Sequence, residues 1–143
     1  MAARTTDRTV LLAIKPRFAN AIMAGEKTVE FRKTRFRDQV SRVVVYASSP
    51  MQRIIGYFDV SHVDEDAPAA LWERYADRGS ITEDELMAYY ADCDTGVAIG
   101  VGQAVPLAKP VPLRKLKRSL TVPQSFFYLD EKAVDRVLQH ATA

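Results

Sequence analysis

Residues 9–33 read TVLLAIKPRFANAIMAGEKTVEFRK, and the succession of patterns within them decides the fold. The β-rich apolar run 9–15 predicts a strand. Pro16 follows where a proline suits a first helical turn, and Gly25 where a glycine ends a helix. Phe18, Ile22 and Met23 recur between them at helical spacing, which predicts an amphipathic helix over 16–24. Residues 27–33 then alternate: Val29 and Phe31 point one way, Thr28, Glu30 and Arg32 the other, as a strand requires.

Working outward, RVVVYAS (42–48) shows no alternation and reads as a strand buried on both faces. QRIIGYFDVSHV (52–63) reads as a long strand with Gly56 at a bulge or tight bend. Short connections between these strands predict an antiparallel or mixed sheet that curls toward a barrel. Residues 64–94 read as a helical insertion. Pro68 opens one helix, Thr82 and Glu85 stand at capping-box spacing before another, and Trp72, Tyr75, Tyr89 and Tyr90 are expected to pack the two. Residues 95–113 return to β composition, with Pro106, Pro110 and Pro112 marking an edge or loop. A basic run (114–119), an aromatic stretch (122–129) and a closing helix (130–141) follow. The expected class is α+β, one domain over 1–143, with helices inserted within the β sequence.

The 143 residues suffice for one core, and 48% hydrophobic with 27% charged residues is a globular composition. One cysteine (Cys93) and two histidines (His62, His140) offer neither a disulfide framework nor metal-ligand spacing. GxxxxGK[ST], GxGxxG and GxSxG are absent, so nucleotide hydrolysis, dinucleotide binding and α/β-hydrolase chemistry lack support. No metal and no cofactor is expected. No apolar run approaches the ~20 residues of a membrane span, and MAARTTDRTV lacks a secretory leader, so a cytoplasmic protein without membrane contact is expected. The net charge of +2 conceals segregation: residues 1–58 carry eleven Lys/Arg against four Asp/Glu, residues 59–94 two against eleven, and residues 95–129 five against none. If the basic blocks are neighbours in space they suit a polyanionic partner; if interleaved with the acids they are solvated faces.

LLAIKPRFANAIMAGEKTVEFRK resembles the opening of the ASCH family, within the PUA-like superfamily. The shared pattern is a strand ending in IKP, a short helix, and G-x-K-x-x-E-x-R, carried here by Gly25, Lys27, Glu30 and Arg32. VYASSP, IIGYFDV and VPQSFFYL continue the resemblance. It implies a small mixed β-barrel with short flanking helices, a cleft bordered by the G-x-K-x-x-E-x-R strand, and binding of RNA or DNA, including recognition of a modified base. Some ASCH proteins are ribonucleases, and one is an amidohydrolase acting on N4-acetylcytidine. The amidohydrolase's lysine falls on Lys27, but its nucleophilic threonine falls on Glu30 and its glutamate near Gly79. A carboxylate does not substitute for a hydroxyl nucleophile, so that reaction is not expected here.

The candidate base- and backbone-binding residues are Lys15, Lys27, Glu30, Arg32, Lys33, Tyr46, Ser48 and Phe127. A carboxylate accepts from an exocyclic amine such as cytosine N4, and a guanidinium donates to carbonyl or phosphate oxygens. Arg35, Arg37, Lys115, Lys117 and Arg118 would extend a phosphate track, and Phe126, Phe127 and Tyr128 would offer stacking surfaces. The leading expectation is a nucleic-acid-binding module. The alternatives are an enzyme acting on RNA or a modified nucleoside, with Lys27 and Glu30 as its polar groups, and a protein-interaction module using the acidic 59–94 segment.

Overall fold

The first proline and the first glycine of the opening stretch act as read. In the computed structural model, which describes residues 7–116 and 126–141, β1 (Arg8–Ile14) leads into α1 (Pro16–Met23) with Pro16 in the first turn. Gly25 ends the helix at φ 81°. The Gly25 N–H donates to the Ile22 carbonyl (3.1 Å) and the Glu26 N–H to the Ala21 carbonyl (2.9 Å), the paired bonds of a Schellman motif. The Lys27 N–H also donates to the Ala21 carbonyl (3.1 Å), so the helix terminus fixes where the next strand starts.

That strand, β2 (Val29–Arg32), does not join its sequence neighbour β3 (Val40–Ala47). The remaining elements are β4 (Arg53–Asp66), α2 (Pro68–Tyr75), α3 (Glu83–Tyr89), β5 (Gly96–Val111), a 3-10 turn (Leu113–Lys115), β6 (Phe126–Leu129) and α4 (Glu131–Ala141). The sheet order is β2-β5-β4-β3-β1-β6, with β1 and β3 parallel and the other pairs antiparallel. The α+β class and the mixed sheet are as expected. Closure into a barrel is not seen: β2 and β6 end the ladder order, and no pairing joins them among the described residues.

Two apolar layers lie on the two faces of β1 and β3. Val10, Leu12, Val43 and Val45 belong to one, with Ile22, Phe58 and Ile99. Leu11, Val44 and Tyr46 belong to the other, with Leu113, Leu129 and Val137 of α4. This explains the unbroken hydrophobicity of 43–47. A third cluster forms where Val29 and Phe31 meet Leu71, Tyr75, Leu86 and Tyr90 of the helical insertion. Gly56 sits at register shifts toward both neighbouring strands. A Cβ there would stand 2.3 Å from Met23 Sδ and 2.6 Å from the Val105 carbonyl oxygen.

The prolines of β5 have a simple explanation. β2 pairs only with residues 97–100, so the stretch around Pro106 and Pro110 has β4 alone beside it and behaves as an edge. Thr82 caps α3 by accepting from the Glu85 N–H at 3.2 Å. Among the described residues no helix is long and apolar enough to cross a membrane.

Two glycine substitutions separate conformation from space. Gly25→Ala meets nothing within 4 Å, so its cost should be the left-handed backbone alone, about 1–2 kcal/mol. Gly56→Ala must move backbone and should cost about 1–3 kcal/mol through overpacking. Urea unfolding of both variants checks the values. A neutral Gly56→Ala would show that β5 does not approach as closely as described.

Candidate functional site

Lys27, just before β2, and Glu30 within it are buried, at 2% and 5% exposure, while Thr28 is exposed and Arg32 half-buried. Lys27 Nζ lies 3.5 Å from Glu30 Oε1, and Arg32 Nη1 lies 3.6 Å from Glu30 Oε2. The Lys27 ammonium also donates to the Gly79 carbonyl, and Arg32 donates to the Ala13 carbonyl at 3.3 Å. Lys27 Nζ stands 4.7 Å from the Phe18 ring centre and 5.5 Å from that of Phe31. A glycine carbonyl thus meets Lys27 where the amidohydrolase resemblance would require a carboxylate.

Burial lowers the Lys27 ammonium below its ordinary pKa, and the Glu30 charge opposes the shift. Burial raises the Glu30 carboxyl, against the pull of Lys27 and Arg32. The two shifts bring acid and base toward each other. Both ion-pair separations exceed the about 2.7–2.9 Å of a charge-assisted hydrogen bond. An ionised carboxylate has about four acceptor sites, so Glu30 can accept from an incoming N–H beside its two cations.

These groups floor a cavity of about 690 Å³. Lys15, Lys27, Glu30, Arg32, Lys33 and Ser48 of the sequence candidates line it. Tyr46 and Phe127 do not: both pack in the layer beneath α4, Tyr46 at 1% exposure. In β6, Phe126 and Tyr128 face the opposite layer, as alternation demands. Arg114 and Lys115 lie beyond the cavity lining, with Leu113 and Leu116 anchoring their turn beneath α4. Among the described residues, the basic residues of the 95–129 block (Lys109, Arg114 and Lys115) do not line the cavity. Lys117 and Arg118 lie outside the described residues. The acidic segment is partly neutralised by pairing, through Arg17–Glu85, Arg35–Glu65 and Arg74 with Asp64 and Asp66.

Sequence reasoning missed Arg17, Phe18 and Tyr89 as cavity walls. Phe18 reads as helix packing, and Tyr89 as part of the helical aromatic set. The available signal was position: Arg17 and Phe18 begin a helix directly after a strand, which places them at the sheet's end beside Lys15. Lys33 Nζ stands 5.0 Å from the Tyr89 ring centre, and Tyr89 is 36% exposed. Tyr90, beside it, shares its hydroxyl proton between the carbonyls of Arg32 (2.9 Å) and Val97 (3.1 Å), tying α3 to the β2–β5 ladder. Burial pushes that phenol far above its ordinary pKa. Among the described residues no group of three His, Cys, Asp or Glu gathers to hold a metal.

The family described as Domain of unknown function (DUF365) matches residues 8–133. The chain belongs to this ASCH-type family. It is 26% identical over 135 residues to the ASCH domain-containing ribonuclease of Zymomonas mobilis, covering 92% of this chain and 90% of that protein. The crystal structure of ASCH from Zymomonas mobilis superposes with a TM-score of 0.85 at 25% identity, over 92% of this chain and 94% of that one. Large ribosomal subunit protein uL22 of Ureaplasma parvum is 30% identical over 125 residues, 87% of this chain. The matching region spans only 40% of that protein's length. The N-terminal domain of Staphylothermus marinus McrB shares the fold, with a TM-score of 0.60 at 10% identity over 92% of this chain and 93% of that one.

Replacing Lys27 by Met leaves Glu30 buried with Arg32 alone and should cost about 3–5 kcal/mol near neutrality. Losing the ammonium raises the Glu30 pKa further, and a raised carboxyl contributes stability that is lost as pH rises through the folded pKa. The deficit of Lys27→Met relative to the parent should therefore shrink in mild acid. Replacing Lys27 and Glu30 together by apolar residues should recover much of it. Denaturant unfolding at several pH values checks both, and a deficit that grows in acid would contradict the burial account.

Proposed function

We propose that this ASCH-type chain is a nucleic-acid-binding module that takes one base of RNA or DNA, including a modified base, into the cavity floored by Lys27, Glu30 and Arg32. The observation that carries the reading is a buried carboxylate set between two cations at the base of a cavity walled by Phe18 and Tyr89. Glu30 accepts from an exocyclic amine, Arg32 donates to a carbonyl or phosphate oxygen, and Tyr89 gives the base a ring to stack on. Lys15 and Lys33 at the mouth meet the flanking phosphates. The kinship with ASCH proteins supports reading the curled sheet as an opened PUA-like barrel, acting as one unit over 1–143 in the cytoplasm. The chemistry of this reading calls for no cofactor.

The second reading is cleavage of RNA, favoured by the name of the Zymomonas relative, a ribonuclease, and by the opposed shifts of Lys27 and Glu30. An acid and a base whose pKa values converge suit general acid–base work on a ribose hydroxyl and its phosphate.

Fluorescence anisotropy with a panel of modified and unmodified oligonucleotides tests the first reading, and mass spectrometry of the same mixtures tests the second. Binding should weaken as salt rises. Tyr89→Ala should lose about 1–3 kcal/mol of binding if a base stacks there, and Arg32→Ala should lose affinity beyond any loss of stability, which circular dichroism of the same sample checks. Variants that bind the whole panel like the parent would show that the cavity is not the site. Product in multiple equivalents per protein would establish turnover; unchanged ligand would remove the second reading.

A further inference from the structure

The loop after β2 separates two cavities. Lys33 and Thr34 line the large one, and the residues that immediately follow, from Arg35 onward, line a second of about 420 Å³ against β4. This second groove is polar and basic on its loop side, with Arg35 and Arg37 both exposed. Its acid, Asp38, is already engaged: Arg8 Nη1 lies 3.2 Å from Asp38 Oδ2. Arg35 pairs with Glu65 at 3.6 Å across the surface. Arg37 has no ion-pair or hydrogen-bond partner among the described residues.

The opposite wall is formed by β4, where Ser61, His62 and Val63 are exposed. The β4–β5 register shifts between Val60 and Val63, and this bulge presents Ser61 and His62 together over Gly100. A Cβ on Gly100 would stand 2.3 Å from Ser61 Oγ and 2.4 Å from His62 Nδ1, so a larger residue would displace these side chains. Tyr75 donates its hydroxyl proton to Asp64 Oδ2 (2.9 Å). Its oxygen accordingly accepts from His62 Nε2 (3.2 Å), and His62 Nδ1 lies 2.9 Å from the Ser61 hydroxyl oxygen. The Tyr75 ring stacks on the imidazole at 5.9 Å between centroids. Both ring nitrogens of His62 thereby face a hydroxyl. Bulges of this kind re-aim side chains beside binding sites.

We propose that this second groove holds the phosphodiester backbone of the same strand whose base enters the main cleft, with Arg37 and Arg35 contacting successive phosphates and the His62 wall confining the strand. The proposal rests on the nucleic-acid reading above and adds a second point of attachment to it. Continuity supports it: Lys33 and Arg37 are at most ~14 Å apart along the chain, at about 3.5 Å per residue. A single strand spans that distance in about four stacked nucleotides, or fewer if stretched. The cleft then supplies selection and the groove supplies affinity, which grows with strand length.

The test is a ladder of single-stranded oligonucleotides from about 4 to about 16 nucleotides, the site-size range of small single-strand binders, in RNA and DNA versions. The affinity of the parent should climb with length and then level. Arg37→Ala and the double variant Arg35→Ala/Arg37→Ala should keep the affinity for the shortest member and lose the climb. Each phosphate that a substitution leaves unneutralised should reduce the slope of log affinity against log salt by about 0.7. Arg37→Ala breaks no hydrogen bond or ion pair among the described residues, so it reads binding without disturbing the fold. A climb and a salt slope unchanged in both variants would overturn this proposal and leave the cleft reading standing. No binding by the parent at any length would overturn both.

Discussion

A carboxylate held between two cations, almost out of reach of water, is the constraint around which this structure is arranged. Burying Glu30 and Lys27 is costly, because desolvation disfavours the charged form of each. The cost is offset only if partners are supplied from several directions. The Schellman turn at Gly25 fixes the chain just before Lys27. The loop after α2 brings the Gly79 carbonyl to the ammonium, and β1 brings the Ala13 carbonyl to Arg32. Helices α2 and α3 cover the strand and bury Val29 and Phe31 beneath them. The helical insertion is therefore part of the site's construction. Four of its acids, Asp64, Glu65, Asp66 and Glu85, pair with arginines.

The same arrangement explains the long β5. One end of it carries β2 and the charged floor, while the other runs along β4 toward the layer beneath α4. The cleft and the α4 face are thus joined by one continuous strand. Register shifts in β4 bend the sheet, and glycines at 56 and 100 admit the close approaches those bends create. The sheet curls around the layer containing Leu12, Val45 and Ile99 without β2 reaching β6.

Local chemistry is legible in the sequence where it acts over a few residues. Pro16, Gly25, the Thr82–Glu85 cap and the unbroken apolar run of β3 all do what their spacing implies. Non-local pairing is not legible. Nothing in 27–33 says that β2 will skip β3 and join a strand some seventy residues later (Glu30 opposite Ile99). Burial of Glu30 is equally hidden, since alternation of Thr28, Glu30 and Arg32 ordinarily marks a solvated face. Tyr46 misleads for a related reason: Ser48, two residues on, lines the cavity, but Tyr46 packs into the layer beneath α4, as does Phe127 of β6. Arg17, Phe18 and Tyr89 escape notice because helical spacing does not distinguish an apolar face over a sheet from one lining a cavity.

Side-chain NMR during titration with a single-stranded oligonucleotide locates where ligand enters the protein. Entry over the Lys27–Glu30–Arg32 floor should shift the Lys27 ammonium, the Arg32 guanidinium and the Phe18 and Tyr89 rings, and leave Leu113, Phe127 and Leu129 beneath α4 unmoved. Saturable binding that moves the α4 face and leaves the floor unchanged would contradict it.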